Sequence, residues 1–254
     1  MQPSTNSGAV LSTDTISKTL AGSHVVVIGG STGIGRAVAA QAVAAGAAVT
    51  VGSRSAAKLA ALRAELGEGV STRTVDVTDE ADVAAFFSPV EDLDHLVVCP
   101  GDMANGSVYD LPMADILACL NTKIVGQFLC VRHAGRKLAP NGSITLLAGA
   151  SGYKAYAGMS ITGAANVGIG GLGRALAVEL APIRVNVVVA GMVDTPLWDG
   201  IPAEAREQLF EQVAAATPVG RIGQPDDIAA TVLHLLGNTF VSGSVIHVDG
   251  GAIL

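Results

Sequence analysis

Val25-Val26-Val27-Ile28-Gly29-Gly30-Ser31-Thr32-Gly33-Ile34-Gly35 is the stretch that decides the fold. Its four leading apolar residues read as a buried parallel strand, and the small and apolar residues from Ile34 to Ala45 read as the helix that follows. Glycines between the two permit a tight turn, let a backbone approach a pyrophosphate, and let helix pack closely on strand. The phosphate is then held at the positive helix N-terminus. The run therefore predicts a dinucleotide cradle built from Gly29, Ser31, Thr32, Gly33, Ile34 and Gly35.

Outward from that unit, strand and helix patterns alternate. Strands are expected at Val25 to Ile28, Ala48 to Ser53, Val70 to Asp76, His95 to Cys99, Ser143 to Leu147, Arg184 to Ala190 and Val245 to Val248. Such alternation predicts a doubly wound α/β domain with seven parallel strands and helices on both faces, its ligands at the carboxyl ends of the strands. Ser55 before Ala56 to Leu66, and Thr78 before Asp79-Glu80, read as helix starts. Of the 254 residues, 50% are hydrophobic, enough for one large core. Residues 1–20 are expected to be a flexible tail and 21–254 one domain. Within it, residues 195–217, with Trp198, Ile201, Leu209 and Phe210, read as a mobile apolar lid.

A net charge of -7 argues against a nucleic-acid or anionic-membrane surface. Mean hydropathy is +0.49, yet the apolar runs are broken before the ~18 positions a membrane span needs, so no membrane span is expected. The leader has no basic residue before Lys18 and no long apolar core, which points to a cytoplasmic protein. Cys99, Cys119 and Cys130 lack C-x-x-C spacing, and His24, His95, His133, His234 and His247 lack ligand spacing. No metal site is expected.

The chain resembles the short-chain dehydrogenase/reductase family, whose fold is Rossmann-type, from about Leu20 to Gly251. The resemblance rests on Gly29-x-x-x-Gly33-x-Gly35, Asp76-Val77-Thr78, Arg184-Val185-Asn186, Gly191-Met192-Val193-Asp194-Thr195-Pro196, the run Pro218 to Ala229, and Ser242-Gly243-x-x-Ile246-His247-Val248-Asp249-Gly250-Gly251. It implies that Asp76 and Val77 frame an adenine, and that Gly191 and the Val193 to Thr195 turn meet the nicotinamide end. Cys99-Pro100-Gly101 stands where the family has Asn-Ala-Gly after the fourth strand. An acid ending the second strand would bind a ribose 2'-hydroxyl and repel a 2'-phosphate. Here that end is Gly52-Ser53-Arg54-Ser55, so NADP(H) is expected over NAD(H), with Arg54 on the phosphate and Ser53 beside it.

No Tyr-x-x-x-Lys occurs anywhere in the chain. In register with the family, Thr162 falls on the catalytic Tyr, Asn166 on the catalytic Lys, and Gly149 on the active-site Ser, with Ser151 two residues on. The family's helix Asn falls on Asn121 or, with Gly126 and Phe128 as anchors, on Lys123. The second register is preferred, and it makes Lys123 and Asn166 look exchanged. A desolvated Lys has a lowered pKa suited to moving a proton near neutrality. Tyr153, Lys154 and Tyr156 lie on the expected substrate loop, Tyr156 being the candidate proton donor there. The catalytic candidates are thus Lys123, Asn166, Thr162, Ser151 and Tyr156. The expected activity is NADP(H)-dependent oxidoreduction of a small, largely apolar carbonyl, imine or activated alkene. The alternatives are a non-redox enzyme (isomerase, dehydratase or cyclase) on this scaffold and a catalytically silent NADP-binding protein. By resemblance, the small-residue helix around Gly163-Ala164-Ala165 and Gly168 to Gly171 faces another subunit in a homodimer or homotetramer.

Overall fold

The structure is a computed structural model that describes residues 20–254; the expected tail before Leu20 lies outside the described residues. Seven strands, β1 (His24–Ile28), β2 (Ala48–Ser53), β3 (Val70–Thr74), β4 (Leu93–Val98), β5 (Leu138–Gly149), β6 (Arg184–Ala190) and β7 (Val245–Val248), form one sheet in the order β3-β2-β1-β4-β5-β6-β7. Every neighbouring pair is parallel. The order reverses between β1 and β4, and a crevice opens at such a point in a doubly wound sheet.

Period-two alternation distributes each strand between two cores. In β1, Val25 and Val27 join one cluster with α1 (Gly33–Ala44), α2 (Ala56–Leu66) and α8 (Pro225–Gly237). Val26 and Ile28 join the other, with α3 (Glu80–Phe87), α5 (Gly126–Ala134) and α6 (Ser160–Glu179). Each of these β1 side chains is at most 1% exposed, a burial worth about 1.5–3 kcal/mol apiece. Leu20, which the expected tail included, is fully buried in the first cluster.

Local chemistry moves several expected boundaries. β3 stops at Thr74 rather than Asp76, because the Asp76 carboxylate accepts from the Thr78 backbone N–H (2.9 Å) and hydroxyl (2.7 Å), and that turn diverts the chain. With Thr78 so engaged, Asp79 caps α3 instead, accepting from Ala81 N (2.8 Å). Ser55 caps α2 as expected, accepting from Lys58 N. Arg184 is a buried clamp: it donates to the carbonyls of Leu235 (2.8 Å) and Leu236 (2.9 Å) at the end of α8, satisfying acceptors that a helix C-terminus leaves open.

Two further helical segments bear on the expectations. The continuous helical stretch Met113–Lys137, comprising α4 (Met113–Leu120), a π turn (Asn121–Val125), α5 and a closing 3-10 turn, is 25 residues long with mean hydropathy 1.4. By length and composition it could cross a membrane; it is apolar because one side packs under β4 and β5. The small residues of α6 are explained largely within the chain. A Cβ at Gly163 would stand 2.8 Å from the Ser151 carbonyl and one at Gly170 2.8 Å from the Tyr153 hydroxyl, whereas Gly171 faces open space.

Candidate active site

At the crevice, the carboxyl ends of β1 to β4 and the start of the expected lid enclose a cleft of about 340 Å³. Gly29, Ser31, Thr32, Gly33, Ile34, Gly35, Ser53, Arg54, Asp76, Val77, Cys99, Pro100, Gly101 and Thr195 all line it. The glycines are required by contact. Gly29 sits at φ +81°, and a Cβ there would lie 2.7 Å from the Cys99 carbonyl oxygen, while one at Gly35 would meet the Cys99 sulfur at 2.8 Å. α1 opens at Thr32 with no side-chain cap and no acid in its first turn. Its first backbone N–H groups are therefore free to hold an anion.

Across the cleft, Arg54 and Lys58 form a cationic wall at the end of β2. Lys58 escaped sequence reading, although its place three residues after the Ser55 cap, on the first turn of α2, puts it beside the strand end. The Ser53 hydroxyl is buried without a partner. Asp76 is held below the usual carboxylate range by the Thr78 hydrogen bonds, so it is an acceptor at this wall. Cys99 donates to the Ile28 carbonyl (3.2 Å), and burial pushes its thiol up to about 12, which keeps it protonated.

Gly191 and Val193 are not among the residues lining this cleft. Gly191 lies against Asp249, where a Cβ would come within 2.7 Å of its Cα, and borders a separate cavity of about 140 Å³ with Thr217, Val219 and Gly250. Val193 is 4% exposed in the core and bridges to Gly223. The turn reaches the cleft only through Thr195, Pro196 and Leu197. Behind them the Trp198 indole N–H donates to the Val193 carbonyl (3.0 Å), its ring edge-on to Phe210; the expected lid is a 3-10 turn (Pro196–Trp198) followed by α7 (Ala203–Ala216).

None of the five catalytic candidates lines the cleft. Lys123 sits in the π turn directly after Thr122, which lines the cleft. It is 8% exposed whereas Asn121 is exposed, so of the two registers only Lys123 points inward. Burial lowers the Lys123 pKa, opposed in part by Cys119 and Asp102. Asp102, which sequence reading missed, accepts from Met103 N (2.8 Å) and from the Thr122 hydroxyl (3.1 Å). Its only sequence signal is its position after Gly101.

Asn166 and Ser151 are brought together: the Asn166 amide donates to the Ser151 hydroxyl oxygen at 2.9 Å, leaving Asn166 Oδ1 buried without a partner. Thr162 is occupied elsewhere. Its hydroxyl accepts from Ala104 N (2.9 Å) and donates to Ala104 O (3.0 Å), pinning the β4–α4 loop to α6, and Gly106 N donates to Gly158 O nearby. With its proton committed, Thr162 serves as a clamp in this conformation. Tyr156 is 47% exposed and joins no cluster with the other four. Tyr153 packs edge-on to His247, and Lys154 donates to the Ala252 carbonyl (2.7 Å), so both anchor the C-terminal segment.

Residues 29–252 match the family model described as enoyl-(acyl carrier protein) reductase. The chain is a member of the short-chain dehydrogenase/reductase family. This family member is 34% identical to the cis-4-hydroxycyclohexanecarboxylate dehydrogenase of Sinomonas cyclohexanicum, over 89% of its own length and 94% of the relative's. It is 32% identical to the human 3-oxoacyl-[acyl-carrier-protein] reductase, over 89% and 95%. Among solved structures it is similar to a small-chain dehydrogenase in complex with NADPH, with a TM-score of 0.78, 30% identity, and 91% and 99% of the two chains covered. The chain thus belongs among NAD(P)-dependent oxidoreductases.

Proposed function

We propose that this protein is an NADP(H)-dependent oxidoreductase of a small, largely apolar carbonyl, imine or activated alkene. The observation that carries the cofactor choice is the Arg54 and Lys58 wall at the end of β2, facing a glycine loop that ends in uncapped helix amides. A 2'-phosphate fits two cations and no strand-end acid, while a pyrophosphate fits the α1 N-terminus. A bound nicotinamide would supply or accept hydride. The residues do the rest: Arg54 and Lys58 bind, Asp76 and Val77 frame the adenine side, Thr195 to Leu197 cover the cleft, and Lys123 holds or moves a proton.

The absence of a strong side-chain acid at Thr162 and Asn166 narrows the substrate. Removing a positioned general acid lowers rate by ~10²–10⁴, so substrates that need little protonation, such as an iminium or a conjugated alkene, tolerate this site best. The apolar cover favours a hydrophobic substrate. A homodimer or homotetramer is supported by the outward Met113 and Leu117 of α4, Phe128 of α5 and Val167 of α6.

Titration with NADPH and NADH by nicotinamide fluorescence, followed by single-turnover reactions with ketones, imines and enones, tests the reading. Preferential NADPH binding with hydride transfer to any of these is the expected result; failure of NADPH to bind overturns it. A second reading, nucleotide binding without turnover, draws on the Thr162 clamp. It would be marked by tight binding and no transfer.

A further inference from the structure

The lysines among the described residues differ in what they do. Lys58 lines the cofactor cleft, Lys137 donates to the carbonyls of Ser88 and Val90, and Lys154 is tied to Ala252. Lys123 alone is buried by its own helix and its neighbours while making no hydrogen bond among the described residues. A mostly dehydrated amine with no committed acceptor among the described residues, one position from the cleft-lining Thr122, has the makings of a nucleophile. Asp102 is the nearby carboxylate, but both its oxygens already accept, from Met103 N and from the Thr122 hydroxyl. The π turn that places Lys123 is a local irregularity of a kind frequent at functional sites.

We propose that Lys123 captures the carbonyl of a conjugated aldehyde or ketone as a covalent iminium. The Nζ lone pair attacks the carbonyl carbon, and the carbonyl π pair moves to oxygen. A proton passes from nitrogen to oxygen, and with one further proton from solvent the oxygen leaves as water, giving a positively charged C=N bond. Hydrolysis, consuming one water and returning the proton, releases the carbonyl compound and the free amine. The iminium withdraws electrons from the conjugated β-carbon as protonation of the oxygen would. It thereby supplies the activation that a side-chain acid would otherwise give, in a site where Thr162 is a clamp and Asn166 an amide. The substrate class becomes α,β-unsaturated carbonyl compounds. Addition to the C=N carbon itself would leave Lys123 permanently alkylated, so productive chemistry must occur at the β-carbon. The proposal rests on the oxidoreductase reading for its purpose, but the capture step needs no nucleotide.

The test uses the full-length protein, cinnamaldehyde as probe and sodium cyanoborohydride as trap, without nucleotide, followed by intact-mass and peptide mapping. Burial favours the neutral, nucleophilic form of the Lys123 amine. Trapping at Lys123 is therefore expected to run ahead of trapping at every other lysine, and is absent in Lys123→Arg, whose unaltered NADPH fluorescence would report an intact fold. Labelling at Lys58, Lys137 and Lys154 with Lys123 unmodified overturns the proposal. If the wild type transfers hydride to cinnamaldehyde yet traps nothing at Lys123, the capture falls and the oxidoreductase reading stands. Trapping at Lys123 without hydride transfer upholds capture and counts against that reading.

Discussion

At the scale of single residues, under the proposed function the nucleotide falls to residues that line the cleft and the substrate chemistry to Lys123, one position from its wall. Arg54→Ala should weaken NADPH about tenfold to a hundredfold, the worth of a hydrogen bond to a charged group, and leave NADH nearly unchanged; paired fluorescence titrations measure both. Gly35→Ala places a methyl group against the Cys99 sulfur and the Gly29 carbonyl oxygen. Loss of nucleotide binding together with a lowered thermal midpoint is expected. Lys123→Ala should reduce single-turnover hydride transfer by ~10²–10⁴ with NADPH affinity retained. Substrate kinetics beside the titration separate that result from simple misfolding.

At the scale of elements, the sequence is most legible where one strong pattern dominates and least where side chains redirect the backbone. β2, β6, β7 and α2 run where their patterns place them, because Val-rich runs and the Ser55 cap admit one reading. β3 ends early through Asp76 and its Thr78 contacts, a choice of partner that residue types alone leave undecided. Fourteen of the expected nucleotide positions line one cleft because the glycine loop and the strand ends are local in sequence. Gly191 and Val193 do not line it, because their surroundings come from distant Asp249 and Gly223, which no local pattern announces. Asp79→Ala, removing the cap of α3, should cost about 1 kcal/mol, readable as a shift in the urea midpoint.

The β4–β5 pair carries a pH dependence. His95 is buried opposite Ser143, 2.9 Å from its hydroxyl, and desolvation lowers its pKa to about 4 from an ordinary 6.5. The neutral ring is the form the fold accepts. Its contribution is therefore complete above pH 6.5, declines as pH falls, and is lost toward pH 4. A difference of ~3 kcal/mol across that window follows. Chemical denaturation at pH 7 and pH 4.5 should show the decline in the wild type and a flatter profile in His95→Gln.

At the scale of the whole molecule, two cores on either side of one sheet leave the carboxyl ends of β1 to β4 as the place where a ligand meets the protein. The α4, α5 and α6 faces remain apolar on the outside, with Met113 65% exposed and Leu117 51%. Light scattering should return a multiple of the monomer mass, and Leu117→Glu should move it toward one copy. A monomer at micromolar concentration in the unaltered protein would remove that expectation.

Asn166 lies so close to Gly149 that a Cβ there would stand 2.9 Å from the amide nitrogen. A Cβ at 149 therefore makes that amide shift, and since the amide is the tip of its side chain, the cost falls on its hydrogen bond to Ser151. Substitutions at 149 and 166 are coupled for that reason, and the effect of either depends on which residue stands at the other.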